Sequence, residues 1–258
     1  MEGRSSAFAM ILLTGGDFMR SIIREEWRKL KHEKMLIPGL IGIMLLQWGV
    51  SYLLFRWGPN ERIGKEYGNF GLNLYCMCGI SAIFNLVSSI FINYFLLTQE
   101  YIYDTWDLIV LKVFSRTKLC MSKYFIFFMY QMVFNIFSVL GYLLFSIFIL
   151  NQTVNIAFMK NIILLVIFMH LFDATIQFAI QLWLDNLTFA VVIGLLYQII
   201  KTRIPINFPI LKYTPVVSER FIFESGQFMN VSLGAVCSGI SILLCFLLAY
   251  LAGRKFKT

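Results

Sequence analysis

The sequence predicts an all-α integral membrane protein, and three observations lead to that fold class. Of its 258 residues, 59% are hydrophobic and only 14% are charged. Its mean hydropathy of +0.75 is higher than a water-soluble domain requires. The apolar residues form several continuous runs of about 20, the length of helix that crosses a bilayer, and they do not alternate with polar residues as barrel strands do.

Six apolar runs predict six transmembrane helices. They cover about residues 37–57, 72–97, 124–150, 158–182, 187–200 and 231–252. The fifth run is short for a full crossing, which indicates a tilted or broken element. Residues 201–230 hold three of the five prolines, so we expect a broken outer segment of short helical pieces and turns, or else a simple long loop. No linker divides the chain, which indicates a single domain.

Basic residues indicate the orientation. Fourteen of the 22 Lys and Arg residues lie in residues 1–36, in the 98–123 loop and in the C-terminal tail, which predicts that these regions and both termini are cytoplasmic. Four of the other eight lie in residues 201–230 and oppose this assignment. Because the basic residues cluster beside the apolar runs, they suit lipid headgroups, and we expect no nucleic acid partner.

The first 18 residues are predicted to be a leader that is not native. Their apolar core, AFAMILL, is short for a secretory signal, and no good cleavage site follows it. The codons of Gly15, Gly16 and Asp17 can form a ribosome-binding sequence just before Met19. We therefore expect translation to start at residue 19 and the six-span domain to cover residues 19–258.

Residues 20–36 predict an amphipathic helix before the first span. Ile23, Trp27 and Leu30 recur at i, i+4 and i+7, while basic residues line the other side. The basic residues on that side are Arg24, Arg28 and Lys31. Such a helix lies on the membrane surface, and the alternative is a basic flank that only fixes orientation.

Residues 98–123 carry seven charged residues between two apolar runs. If residues 99–113 form a helix, Glu100, Asp104 and Asp107 share one face and apolar side chains share the other. Four basic residues follow the acids, an order that suits the helix dipole. The segment is thus either a docking surface for a cytosolic protein or an interfacial helix that caps a hairpin.

A polar stripe runs along the fourth predicted span. It comprises His170, Asp173, Gln177 and Gln181, at steps of three, four and four residues. The stripe is either a substrate or proton site, or a set of hydrogen bonds that pins this helix to its neighbours, which is the commoner role. No Lys or Arg lies in the interior of a predicted span, away from its ends, to pair with Asp173, so we expect His170 as its partner or a protonated carboxyl. The candidate hydrogen-bonding partners on other spans are Asn85, Asn93 and Asn135.

Enzymatic chemistry is not predicted. The five cysteines form no CxxC pair, and the two histidines are too few for a histidine-rich metal site. The sequence EEWR at residues 25–28 resembles a glutamate-pair motif of intramembrane proteases, but it precedes the first span and has the wrong spacing. No GxxxxGK[ST] phosphate loop occurs, so the chain is not expected to bind ATP itself.

In two stretches, residues 25–37 and residues 100–123, the sequence resembles the permease subunits of two-component ATP-binding cassette exporters, especially those for lantibiotic immunity or bacitracin resistance. Residues 25–37, EEWRKLKHEKMLI, match an acidic residue followed by a basic-Leu-basic pattern. Residues 100–123, EYIYDTWDLIVLKVFSRTKLCMSK, match a pattern of Glu, Thr, an apolar pair, Ser-Arg and a closing Lys. Phe114 departs from the pattern, because the family commonly has proline before the Ser-Arg pair.

The resemblance implies that residues 98–123 are a coupling segment through which a separate ATPase subunit, which holds ATP and magnesium, moves the membrane helices. The residues implied in docking are Glu100, Tyr101, Asp104, Thr105, Asp107, Ser115, Arg116 and Lys123. It also implies a bacterial cytoplasmic membrane, a second permease (an identical or sister chain) and a peptide antibiotic substrate. On this interpretation His170, Asp173, Gln177 and Gln181 could line the translocation path. The alternative is a non-transporting scaffold or sensor whose acidic helix binds a soluble partner.

Overall fold

A computed structural model describes residues 15–57, 61–102, 116–148, 156–184, 186–203 and 231–255. Every regular element in these ranges is helical. The helices are α1 (Gly15–His32), α2 (Leu36–Trp57), α3 (Glu61–Asn93), α4 (Arg116–Phe148), α5 (Ile156–Trp183), α6 (Leu187–Arg203) and α7 (Val231–Lys255). After α3 the chain continues through a π-helical turn, Tyr94–Thr98, into a short α-helical segment, Gln99–Ile102.

Within the described ranges, four helical segments are long and apolar enough to cross a membrane. They are Leu36–Trp57, Tyr75–Thr98, Thr117–Phe148 and Ile163–Trp183. Two shorter apolar helices are Leu187–Lys201 and Gly239–Leu251. Helices satisfy their backbone hydrogen bonds internally, which is the condition for crossing lipid. The predicted all-α membrane fold is thereby confirmed.

The central element of the bundle is α5. It packs against α3, α4, α6 and α7, and it is the most buried of the four long apolar segments. By contrast α2 packs mainly against α3 and leaves large apolar side chains such as Leu45 and Leu46 exposed. Exposed apolar side chains on a spanning helix are expected where the helix faces lipid.

Aromatic side chains fill much of the core where α4 meets α5. The ring of Phe178 lies 5.4 Å from that of Tyr124 and 5.1 Å from that of Phe127. All three side chains are buried. A second buried cluster joins α3, α4 and α5 around Met77, Tyr142 and Val166. These contacts fix which faces of α4 and α5 point inward.

Several helices extend beyond the apolar runs that predicted them. α3 begins at Glu61 instead of about residue 72, and α4 begins at Arg116 instead of residue 124. α6 continues to Arg203, so Lys201 belongs to a helix and its assignment to the outer loop is wrong. Backbone hydrogen bonding propagates through polar residues as well as apolar ones, so hydropathy marks the core of a helix better than its ends. Residues 204–230, where the broken outer segment was predicted, lie outside the described residues.

Candidate functional site

The helix α1 packs against α4 through a face that includes a carboxylate. Ile22, Glu26 and Leu30, four residues apart, are buried. Among the predicted interfacial residues, Leu30 is thus buried, Ile23 is half-buried and Trp27 is 45% exposed. The Trp27 ring lies 5.4 Å from that of Tyr130 on α4. The predicted membrane-facing stripe therefore contacts the bundle along much of its length.

Four charged side chains meet where α1, the end of the second span and the start of α4 converge. We call Glu26, Lys29, Glu100 and Lys123 the charge cluster. Lys123 Nζ donates to Glu26 Oε2 and to Glu100 Oε1, at 2.8 Å in each case. Lys29 Nζ lies 2.8 Å from Glu26 Oε1 and 3.2 Å from Glu100 Oε1. The two carboxylates and two ammonium groups balance in formal charge.

Burial is deepest at Lys123, whose side chain is 0% exposed, whereas that of Lys29 is 52% exposed. Burial of Glu26 by itself raises its pKa, but the attraction of Lys123 and Lys29 outweighs this and leaves the pKa below its ordinary value of 4.5. Burial likewise opposes the charge of Lys29, yet Glu26 and Glu100 leave its pKa above 10.5. Both groups are therefore held in their charged forms by their partners.

The π-helical turn contributes a backbone group to the cluster. Gln99 N–H donates to Tyr94 O, five residues earlier, which defines the wider turn. Within it, Leu96 O accepts a 2.8 Å hydrogen bond from Lys123 Nζ. The ammonium group has three protons, and these three acceptors satisfy them. Lys123 therefore holds α1, the π-helical turn and Glu100 together.

Glu100 and Lys123 were predicted to contact a docked partner, and in the structure their side chains are buried and bind each other. Glu100 is only 8% exposed and Lys123 is fully buried, because each is the other's counterion. The predicted exposed acidic face therefore does not include Glu100. The other predicted docking residues lie outside the described part of the chain, at Asp104, Thr105, Asp107 and Ser115, as do the side chains of Tyr101 and Arg116.

All four members of the polar stripe on α5 are buried, and they face other helices. Asn85 Nδ2 donates to His170 O at 2.9 Å, and Asn93 Nδ2 donates to Gln181 Oε1 at 2.6 Å. Ser81 Oγ lies 3.1 Å from His170 Nε2. The predicted pairing with Asn93 is confirmed at the Gln181 side chain, whereas Asn85 binds the same helix through the backbone carbonyl of His170. The predicted role of Asn135 is not confirmed, since its Nδ2 has no hydrogen-bond partner among the described residues.

Asp173 pairs with a lysine, contrary to the sequence-based expectation. Lys201 Nζ lies 2.6 Å from Asp173 Oδ2, and Tyr197 donates its hydroxyl hydrogen to Asp173 Oδ1 at 2.9 Å. Gln177 Nε2, one turn along α5, donates to Ala190 O. These bonds join α5 to α6. The contacts of the stripe are therefore those expected of interhelical pinning.

Sequence reasoning missed Glu26, Lys29 and Lys201 as structural partners. A signal existed for Glu26, because it lies midway between Ile22 and Leu30 at four-residue spacing and so shares their face. No comparable signal marked Lys201, because a span predicted from hydropathy ends before a charged residue that lies at the end of the apolar run. Its counterion is 28 residues away on another helix.

Comparison with known proteins adds the family. The profile of the ABC-2 family transporter proteins matches residues 22–201, more than two thirds of the chain. The match includes all four residues of the charge cluster and the Asp173–Lys201 pair. A search of curated proteins found no match. The chain therefore belongs to the ABC-2 transporter family and is a multi-pass membrane protein, the permease component of an ABC transporter that works with an ATPase subunit.

Proposed function

We propose that this chain is the permease subunit of an exporter that removes a lantibiotic-like peptide antibiotic, or another amphiphile, from the bacterial cytoplasmic membrane. The observation that supports it most directly is the charge cluster. Its residues come from the two stretches that resemble this type of exporter, residues 25–37 and 100–123, and they meet at the base of the coupling segment. Lys123 and Glu100 fix the two ends of that segment to each other.

The work is supplied by a separate ATPase subunit that holds ATP and magnesium and docks on residues 98–123. Because Glu100 and Lys123 are buried, the contact residues are those between them, with the acidic Asp104 and Asp107 as the main determinants. A second permease, identical or sister, completes the transporter. The cycle requires the ATPase to favour one arrangement of the helices over the other by several kcal/mol.

The proposed topology has six spans with both termini in the cytoplasm. α6 has 17 residues and is about 25 Å long, so it crosses only if the bilayer thins locally or the adjoining residues complete the span. A cysteine introduced at Asp104 tests the orientation. It should react with a membrane-impermeant thiol reagent in inside-out vesicles and remain protected in intact cells; the opposite pattern would reverse the topology.

The test of function is copurification of the tagged chain with any ATPase encoded beside its gene, followed by an ATPase assay in lipid nanodiscs. We expect a lantibiotic or bacitracin to stimulate hydrolysis, and expression of the pair to raise the resistance of a sensitive host to the same peptide. Asp104→Asn/Asp107→Asn should weaken copurification. Glu25→Gln, at an exposed acid outside the coupling segment, is the matched control. Binding of a soluble protein without peptide-stimulated ATPase activity would favour the scaffold or sensor instead.

A further inference from the structure

The buried position of the Lys123 side chain is explained neither by insertion of apolar surface into the membrane nor by direct contact with the ATPase. Its ammonium group is fully buried near the start of α4, where an uncompensated charge is costly. Three of its acceptors belong to two other elements: Glu26 on α1, and Leu96 and Glu100 at the end of the second span. One side chain therefore joins three elements that the sequence separates by as many as 97 residues.

The joined elements surround the base of the coupling segment. Glu100 lies just before residues 103–115, and Lys123 lies in the second turn of the helix that follows them. A force applied to these residues by a partner would reach both ends, and the shared bonds to Glu26 would carry it to α1. Lys29 adds a second bridge between Glu26 and Glu100. The cluster is thus a cross-link between α1 and the coupling segment.

The bonds that form this cross-link depend on the conformation of the π-helical turn. A π-helical turn is a rare conformation that adds a residue to the turn, and it persists where the surroundings fix it. Here Lys123 binds Leu96 O inside the turn and Glu100 just beyond it. If the turn returned to α-helical bonding, Glu100 would rotate about the helix axis by up to about 100°, the rotation per residue, and leave Lys123.

We propose that Lys123 and Glu26 are positioning residues for transport: they make α1 move with the coupling segment when the ATPase displaces it. The proposal rests on the proposed function. It assigns α1 the role of a moving lever joined to the bundle, in addition to any contact it makes with lipid. Direct contact with the ATPase is not part of the role of either side chain.

The test separates transmission from mere charge balance. Lys123→Met leaves two carboxylates facing one lysine and should destabilise the protein. Within the charge cluster, Glu26→Gln/Lys123→Met keeps Glu100 and Lys29, which are 3.2 Å apart, so the cluster stays formally neutral. The variant removes the buried cross-link through Lys123 and leaves the contact of the half-exposed Lys29 with Glu100. The control is Glu25→Gln, because its partner Arg28 and Glu25 itself are exposed. Lys123→Arg retains the charge and provides the conservative comparison.

The readout is peptide moved per ATP hydrolysed by the complete complex in proteoliposomes, with bacitracin and a lantibiotic as probes. We expect the double variant to fold and to bind the ATPase normally, yet to move about fivefold less peptide per ATP than the wild type, or less still. A factor of about five corresponds to the lower end of ordinary coupling free energies. Glu25→Gln should match the wild type, and Lys123→Arg should retain most of the ratio. A double variant with normal stability and a normal ratio of peptide moved to ATP hydrolysed would overturn the positioning role but not the proposed function.

A second measurement does not depend on the substrate. Spin labels at cysteines introduced at Glu25 and Lys118, both exposed, report the distance between α1 and the start of α4 with and without ATP and vanadate. We expect the distance to remain constant in the wild type and to change or broaden in the double variant. A distance that changes equally in both proteins contradicts the proposal. Failure of the wild-type chain to bind any ATPase would instead overturn the proposed function.

Discussion

Lys201 Nζ lies 2.6 Å from Asp173 Oδ2, and each side chain is only 1% exposed. The pair links α5 to α6 inside the bundle, and the Tyr197 hydroxyl binds the other carboxylate oxygen. A buried pair of this kind contributes little when both partners are replaced together, but removal of one partner leaves an isolated buried charge. This asymmetry gives a direct test of what the pair does.

We predict that Asp173→Asn and Lys201→Met each destabilise the protein by about 3–5 kcal/mol, because each removes the counterion that lies 2.6 Å from a buried charge. The double variant should recover most of the loss. Thermal unfolding of purified protein in detergent measures the stability of all three. Equal losses in the single and double variants would contradict the pairing.

Peptide resistance of cells carrying the double variant separates the two roles of the polar stripe. If the charges only pin α5 to α6, export should recover along with stability. If they form a charged substrate or proton site, export should remain lost although the protein is stable. Unchanged export in Asp173→Asn at normal expression would also count against a charged site.

Gly141 on α4 allows close contact with α2. A Cβ at this position would collide with the Trp48 ring, whose Nε1 donates to Ser138 O at 3.0 Å. We predict that Gly141→Ala displaces the ring and destabilises the protein by about 1–3 kcal/mol, as overpacking does. Gly49→Ala is the control, since the added carbon meets nothing within 4 Å beyond its own helix backbone, and it should leave stability unchanged or slightly raised because alanine favours a helix over glycine. Thermal unfolding in detergent compares them, and equal effects would refute the contact.

The packing of α1 against α4, which we call the docking of α1, should depend on pH in acid and in alkali. The lowered pKa of Glu26 means that its contribution to docking is complete above pH 4.5 and is lost as the pH falls through the lower folded value. The raised pKa of Lys29 means that its contribution is complete below pH 10.5 and is lost as the pH rises through the higher folded value. Docking should therefore be constant between these two ordinary values.

Fluorescence of Trp27, which packs against Tyr130, can follow this release once the other four tryptophans are replaced by phenylalanine. We expect one transition in acid, below pH 4.5, and one in alkali, above pH 10.5. The acid transition should be absent in Glu26→Gln. A transition between the two values would show that these groups do not control the docking of α1.

Much of the fold could be predicted from local sequence. The helical membrane class, the central positions of the long apolar helices and the amphipathic pattern of residues 20–36 follow from windows of about 20 residues, because spanning a bilayer is a local requirement on hydropathy. The stripe on α5 was also visible, since its spacing depends on the period of a single helix. The helix ends were less accurate, as α3 and α6 show, because polar residues can continue a helix.

The partners of the charged residues could not be predicted in this way. The sequence by itself determined that Glu26, Glu100, Lys123 and Asp173 are charged residues in or beside apolar helices. Only the tertiary structure decided that Lys123 binds Glu26 and Glu100, and that Asp173 binds Lys201. The physical reason is that a charge can be buried only beside a counterion. That counterion comes from another helix, up to 97 residues away, so no local window contains both members of the pair.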